Sequence, residues 1–163
     1  GSTLWIFQDT DIGSMTITGN KSTIRNVSCM PHNSLGTVDV NSSTMTHLMR
    51  GDCSPVGYPY DAPHYNGFFI PPLNRPRQWY WVETGARTTT GKLFLFAQRM
   101  SYPCGIGCLQ LGNDLIEILD EVDWNYTTTE LPGYAQGFSW PNAIGEDGNT
   151  LYFLGSHDKE NGD

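Results

Sequence analysis

The chain has 163 residues, 38% hydrophobic and 12% aromatic, with 17 acidic against 9 basic side chains and a net charge of −8. This apolar content and length build a folded core and exclude a disordered chain. The acidic balance weighs against nucleic acid and anionic membranes as partners, and no run of about 18 apolar residues exists to insert in a bilayer as a helix.

Eighteen glycines and ten prolines without a period predict many short strands and turns, hence an all-β fold. Residues 1–13 read as a strand that ends in the acidic turn Asp9-Thr10-Asp11, and residues 14–28, rich in Ser, Thr and Asn, as a long loop or weak hairpin. Residues 34–40 and 44–50 alternate as two antiparallel strands around Asn41-Ser42-Ser43. A Pro-, Gly- and Tyr-rich loop over 51–66 lacks periodicity, and 68–73 reads as a short strand. Residues 78–84 and 92–100 form a hairpin across a polar turn at 87–91. Short strands at 109–111 and 115–119 follow; Leu115, Ile116, Leu119 and Val122 have helical spacing, but the surrounding β pattern favours strand. An edge-like strand at 125–130 precedes a last hairpin, 138–145 with 149–154, marked by Asp147-Gly148.

A phrase recurs through these elements: Gly1-Ser2-Thr3-Leu4-Trp5-Ile6-Phe7, Gly91-Lys92-Leu93-Phe94-Leu95-Phe96, and Gly148-Asn149-Thr150-Leu151-Tyr152-Phe153-Leu154. The step from Leu93 to Leu151 is close to one four-stranded propeller blade. The expected architecture is therefore a set of propeller-like blades of four antiparallel strands in a single β domain over 1–163. A partial blade spans 1–66, a full blade 67–132 and a second partial blade 133–163. These two to three blades fall short of a closed ring, which needs at least about four, so either the chain is part of a longer protein, or a partner chain or self-association completes the fold, or the chain is an open β-sandwich.

The stretch Leu4-Trp5-Ile6-Phe7-Gln8-Asp9-Thr10-Asp11-Ile12-Gly13, followed by Met30-Pro31-His32-Asn33-Ser34-Leu35, resembles the opening of a group of uncharacterised secreted five-bladed β-propeller domains. The Trp-containing strand before Leu93-Phe94-Leu95-Phe96 and the stretch from Trp140-Pro141-Asn142 to Tyr152 are similar to them as well. Such domains are similar in shape to glycoside hydrolases of the arabinanase and levansucrase kind, and this chain covers about half of one. The resemblance implies acids on inner strands around a channel, with Asp9 or Asp11 in the first blade and Glu83 in the next. The adjacent Trp79, Tyr80 and Trp81 would raise the Glu83 pKa or stack on a sugar. Any enzyme activity would thus be glycoside-hydrolase-like. The structural alternative is that Asp9 and Asp11 cap turns and Glu83 is a surface strand residue.

Other residues carry two readings each. His32 and Asn33 could meet a substrate hydroxyl, or form a turn with a satisfied imidazole. Trp79, Trp81 and Tyr60 could form a carbohydrate platform, although packing between blades accounts for the tryptophans more simply. The histidines lack metal-ligand spacing, so no metal site or cofactor is expected; calcium is the one ion that Asp9, Asp11 and Asp158 would suit. Asn20, Asn26, Asn41 and Asn125 each open an N-glycosylation acceptor, where chance gives roughly two. Cys29, Cys53, Cys104 and Cys108 allow three disulfide connectivities, one of which closes the tight 104–108 loop; four free thiols are the alternative. Together these favour a secreted or cell-surface glycoprotein that binds carbohydrate or, alternatively, assembles through open blade edges.

Overall fold

A computed structural model of the chain describes residues 2–8, 12–18, 22–29, 31–39, 41, 44–48, 67–72, 78–101, 108–132, 138–148 and 150–157. These residues are all-β, with no helix among them. They fall into two compact units, Gly1–Ile70 and Pro71–Asp163.

The first unit holds β1 (Ser2–Phe7), β2 (Ile12–Thr18), β3 (Ser22–Cys29), β4 (Ser34–Asp39) and β5 (Met45–Leu48). Strands β1, β4 and β5 make a three-stranded antiparallel sheet in that order, with Leu4 opposite Thr37 and Gly36 opposite His47. The β4–β5 pair is the predicted hairpin. Strands β2 and β3 pair with each other from Thr18↔Ser22 to Ile12↔Cys29, so the Ser/Thr-rich segment is a regular hairpin. Alternating hydroxyls suit a ladder that needs little apolar burial. Gly36 sits where a Cβ would meet the Phe7 ring at 2.8 Å and the Met45 sulfur at 2.9 Å. Its bare backbone lets those two side chains close over the sheet.

The predicted strand at 68–73 is absent. Gly67 makes one isolated parallel bridge to Asn33, and the chain then bends through Phe68 and Phe69. The reason is that a side chain takes the place of a ladder partner. Asn33 donates Nδ2 to the Phe69 carbonyl at 3.0 Å and accepts from the Phe69 N–H at 2.7 Å, while its own carbonyl accepts from Phe68 N–H at 2.9 Å. Phe68, Phe69 and Leu35 are buried around this clamp, and their rings meet edge-on with centroids 5.0 Å apart for the two phenylalanines.

The second unit holds β6 (Gln78–Arg87), β7 (Leu93–Ser101), β8 (Gln110–Ile118), β9 (Tyr126–Leu131), β10 (Phe138–Asp147) and β11 (Thr150–His157). Strands β6 to β9 form a four-stranded antiparallel meander in chain order. The turn between β6 and β7 is closed by Thr88 N–H to Lys92 O and Gly91 N–H to Thr88 O, both 2.8 Å. Gly91 has φ 87°, a left-handed conformation that strains any residue with a Cβ. The two short strands predicted at 109–111 and 115–119 are one strand, β8, because Gly112, Asn113 and Asp114 continue its ladder against Arg99, Gln98 and Ala97. Among the described residues β10 and β11 pair only with each other, across the turn at Gly148, as the Asp-Gly signal predicts.

The register divides the meander into two faces. Tyr80, Val82, Leu93, Leu95, Ala97, Arg99, Asp114, Ile116 and Ile118 line one face and are all buried; Trp79, Phe96, Met100 and Asn113 are buried on the other. A sheet covered on both sides reads as nearly continuous apolar sequence, which is why Leu93 to Ala97 lacks polar alternation. Antiparallel sheets of three and four strands with two further hairpins constitute the described fold, and no barrel closes among these residues.

Candidate functional site

The densest polar chemistry among the described residues lies on the first face of the meander. Tyr80 on β6 faces Arg99 on β7, which faces Gly112 on β8, and Asp114 stands two residues further along β8, opposite Glu130 on β9. The Tyr80 hydroxyl donates to Asp114 Oδ2. Arg99 Nη1 reaches Asp114 Oδ1 at 2.5 Å and Nη2 reaches Glu130 Oε1 at 2.8 Å. One guanidinium therefore ties three strands, and one phenol adds the fourth.

Burial sets the electrostatics. The Arg99 and Asp114 side chains are 6% and 1% exposed, and charges so placed persist only when paired. Burial alone would lower the Arg99 pKa, but its bonds to Glu130 and Asp114 outweigh this and raise it. Burial raises the Tyr80 pKa strongly, and the hydrogen bond to Asp114 adds to that rise, so the phenol stays protonated and keeps donating. Both Asp114 oxygens are hydrogen-bonded, so this carboxylate holds the sheet together.

Gly112 makes room for the guanidinium to cross. A Cβ there would stand 2.5 Å from Arg99 Nη2 and 3.1 Å from Cζ. Gly112→Ala is expected to destabilise the second unit by about 1–3 kcal/mol, read as a lower urea midpoint with an unchanged denaturant slope. An unchanged midpoint would show that Arg99 swings aside at no cost.

The opposite face carries the predicted aromatic residues. Trp79 and Trp81 stack at 5.9 Å with 27° between planes. Trp79 is 2% exposed and donates its indole N–H to the Ser101 carbonyl at 3.2 Å, so its ring is core. Trp81 is half-buried, and its indole N–H has no acceptor. Gln98 and then Asn113 follow Trp81 across the sheet. Asn113 accepts from Gln110 Nε2 at 2.6 Å, and its Nδ2 is buried without a partner.

Glu83 is exposed at a β-bulge in β6, where the register skips from Val82 to Thr84. A bulge turns its side chain out of the alternation, which explains why Glu83 leaves the covered sheet. Asp9, Asp11, Tyr60, Asn20, Cys53, Cys104 and Asp158 lie outside the described residues. His32 is half-buried, and the Asn33 amide is spent on Phe69. His47 shares a hydrogen bond with Ser34 Oγ at 2.9 Å and sits 5.8 Å from the Phe7 ring. Among the described residues no group of three or more His, Cys, Asp or Glu could hold a metal ion. Asn41 is exposed in a turn and Asn125 is exposed just before β9; the side chain of Asn26, on β3, is not described. Cys108 is disulfide-bonded, with its partner outside the described residues, where the Cys29 side chain also falls.

The linkage of buried Tyr80, Arg99 and Asp114 to exposed Glu130 is missing from the sequence-based expectations. A signal existed: at a period of two, Arg99 follows Leu93, Leu95 and Ala97 on β7, and Asp114 precedes Ile116 and Ile118 on β8. Comparison of the chain with protein-family models, curated proteins and solved structures returned no match.

Proposed function

We propose that this chain is an extracellular glycoprotein domain that acts by association, its propeller-like sheets offering an open strand edge to another polypeptide. The observation that carries this reading is β11. Among the described residues it pairs with β10 alone, and Tyr152 and Leu154 on it are 52% and 63% exposed. A lone two-stranded hairpin is marginal in water, and three or more strands with an apolar face are the usual stable unit. An unpaired edge of this kind is a template for strand addition.

The internal comparison supports the same conclusion. Strands β6 and β7 repeat as β10 and β11 in sequence, yet β7 carries β8 on its outer edge and β11 carries nothing among the described residues. In blade terms, β6 to β9 is a complete four-stranded unit and β10–β11 is half of one. The exposed acceptors Asn41 and Asn125 and the disulfide at Cys108 support an oxidising, glycan-bearing compartment. Sedimentation velocity across a dilution series tests the reading. A species heavier than the 18.2 kDa chain is the expected result, and a monomer at every concentration would overturn it.

A carbohydrate-binding or glycoside-hydrolase-like role is the second reading, and one observation favours it. The half-buried ring of Trp81 lies two residues from the exposed carboxylate of Glu83 on the same strand, and a sugar stacks on an indole while its hydroxyls bond a carboxylate. Loss of oligosaccharide retention on affinity electrophoresis in both Trp81→Phe and Glu83→Gln would support this role; retention unchanged in both would remove it.

A further inference from the structure

Resting on the extracellular glycoprotein reading, we propose that Asn125 carries an N-linked glycan whose innermost sugars cover the apolar tip of the β8–β9 turn, Leu119 and Val122. Among the described residues, Asn125-Tyr126-Thr127 is the one acceptor with both its asparagine and its hydroxyl residue exposed. The two stand two residues apart at the entry to β9, so their side chains leave the same face. Asn26, by contrast, is paired with Ser14 inside the β2–β3 ladder.

The turn fixes where Asn125 stands. Trp124, immediately before it, is 9% exposed and has φ 56°, a left-handed conformation that a bulky residue keeps only where its surroundings hold it. Asp120 Oδ1 accepts the N–H groups of Val122 at 3.2 Å and Asp123 at 2.7 Å. The same carboxylate accepts from the Asn125 side-chain amide, which uses one amide hydrogen and leaves the other for substitution. In the transfer, Nδ2 bonds to the anomeric carbon of a lipid-linked oligosaccharide diphosphate as the bond from that carbon to the diphosphate oxygen breaks. Nδ2 gives up one proton, and the lipid diphosphate leaves.

The cover follows from what lies beside the acceptor. Leu119 N–H donates to the Asn125 carbonyl at 2.8 Å, one step beyond the pair Ile118↔Tyr126. Leu119 and Asn125 are therefore cross-strand neighbours, with Cβ atoms about 5 Å apart. Leu119 is 61% exposed, and Val122, three residues before Asn125 in the same turn, is 89% exposed. A sugar on Nδ2 starts beside Leu119, and its C–H faces lie on the two apolar side chains. Charge favours a sugar over an apolar protein surface as the cover. Glu121 and Asp123 flank Val122 and are exposed; a protein surface would strip their water at a cost, whereas sugar hydroxyls replace it.

The test uses the full chain secreted from a eukaryotic host, with peptide mass spectrometry after enzymatic glycan release. A glycan is expected at Asn125, lost in Thr127→Ala and kept in Thr127→Ser. Hydroxyl-radical footprinting then compares the glycosylated chain with the same folded chain after enzymatic release, so no variant has to fold without its sugar. Labelling of Leu119 and Val122 is expected to rise severalfold on release, while Leu109, 69% exposed before β8, stays unchanged. Equal labelling of Leu119 and Val122 before and after release overturns the cover. A glycan at Asn41 with none at Asn125 overturns this inference while the glycoprotein reading stands. A secreted chain with no glycan at any acceptor overturns both.

Discussion

Replacing Asp114 with alanine is expected to destabilise the second unit by about 3–5 kcal/mol, because it strands the Arg99 guanidinium in a covered sheet. The Arg99 side chain is 6% exposed, and its remaining partner, Glu130, is 52% exposed. Glu130 alone compensates poorly, since half of its own stabilisation comes from water. The Tyr80 hydroxyl loses the Asp114 carboxylate in the same step and is left with Thr128 as its partner. For a domain whose total stability is about 5–15 kcal/mol, this approaches loss of the fold, so the urea midpoint should fall steeply or disappear. The paired replacement Arg99→Met with Asp114→Leu removes both buried charges. It is expected to recover most of the loss, and failure to recover would mean that the hydrogen bonds outweigh the charges.

Asn33→Ala is expected to destabilise the first unit by about 2–4 kcal/mol, as it leaves the Phe69 N–H and C=O buried without partners. Asn33 is 1% exposed and Phe69 is 1% exposed, so water cannot take over the lost bonds. Loss of the clamp should also release Phe68 and Phe69 from the core, seen as earlier cleavage near residues 67–70 in limited proteolysis. Asn33→Asp keeps the acceptor but loses the Nδ2 donor to the Phe69 carbonyl, and it should fall between wild type and alanine. An alanine variant as stable as wild type would show that Gly67 to Ile70 contributes nothing to the first unit.

Both residues show where reading the sequence succeeds and where it stops. The hairpins were legible because their signals are local. Asp147-Gly148 marks the β10–β11 turn, the left-handed Gly91 occupies the β6–β7 turn, and the Leu-aromatic phrase marks β1, β7 and β11. The strand at 68–73 was misread because Phe68, Phe69 and Ile70 look β-prone, and nothing nearby reveals that a side chain 36 residues earlier claims the Phe69 backbone. Glu83 drew attention because it neighbours tryptophans, and only the bulge at Val82–Thr84 decides that it faces outward.

The amino-acid sequence by itself determined the class of fold, since alternation and turn glycines act over a few residues and suffice to specify strands and hairpins. It also determined the recurrence of the Leu-aromatic phrase of β7 in β11. The tertiary structure alone decided which polar residues are committed to the fold. Tyr80 meets Asp114 34 residues away, Arg99 meets Glu130 31 away, and Asn33 meets Phe69 36 away. Whether a charge is buried or solvated depends on strands that arrive from distant parts of the chain, and that information has no local period to read.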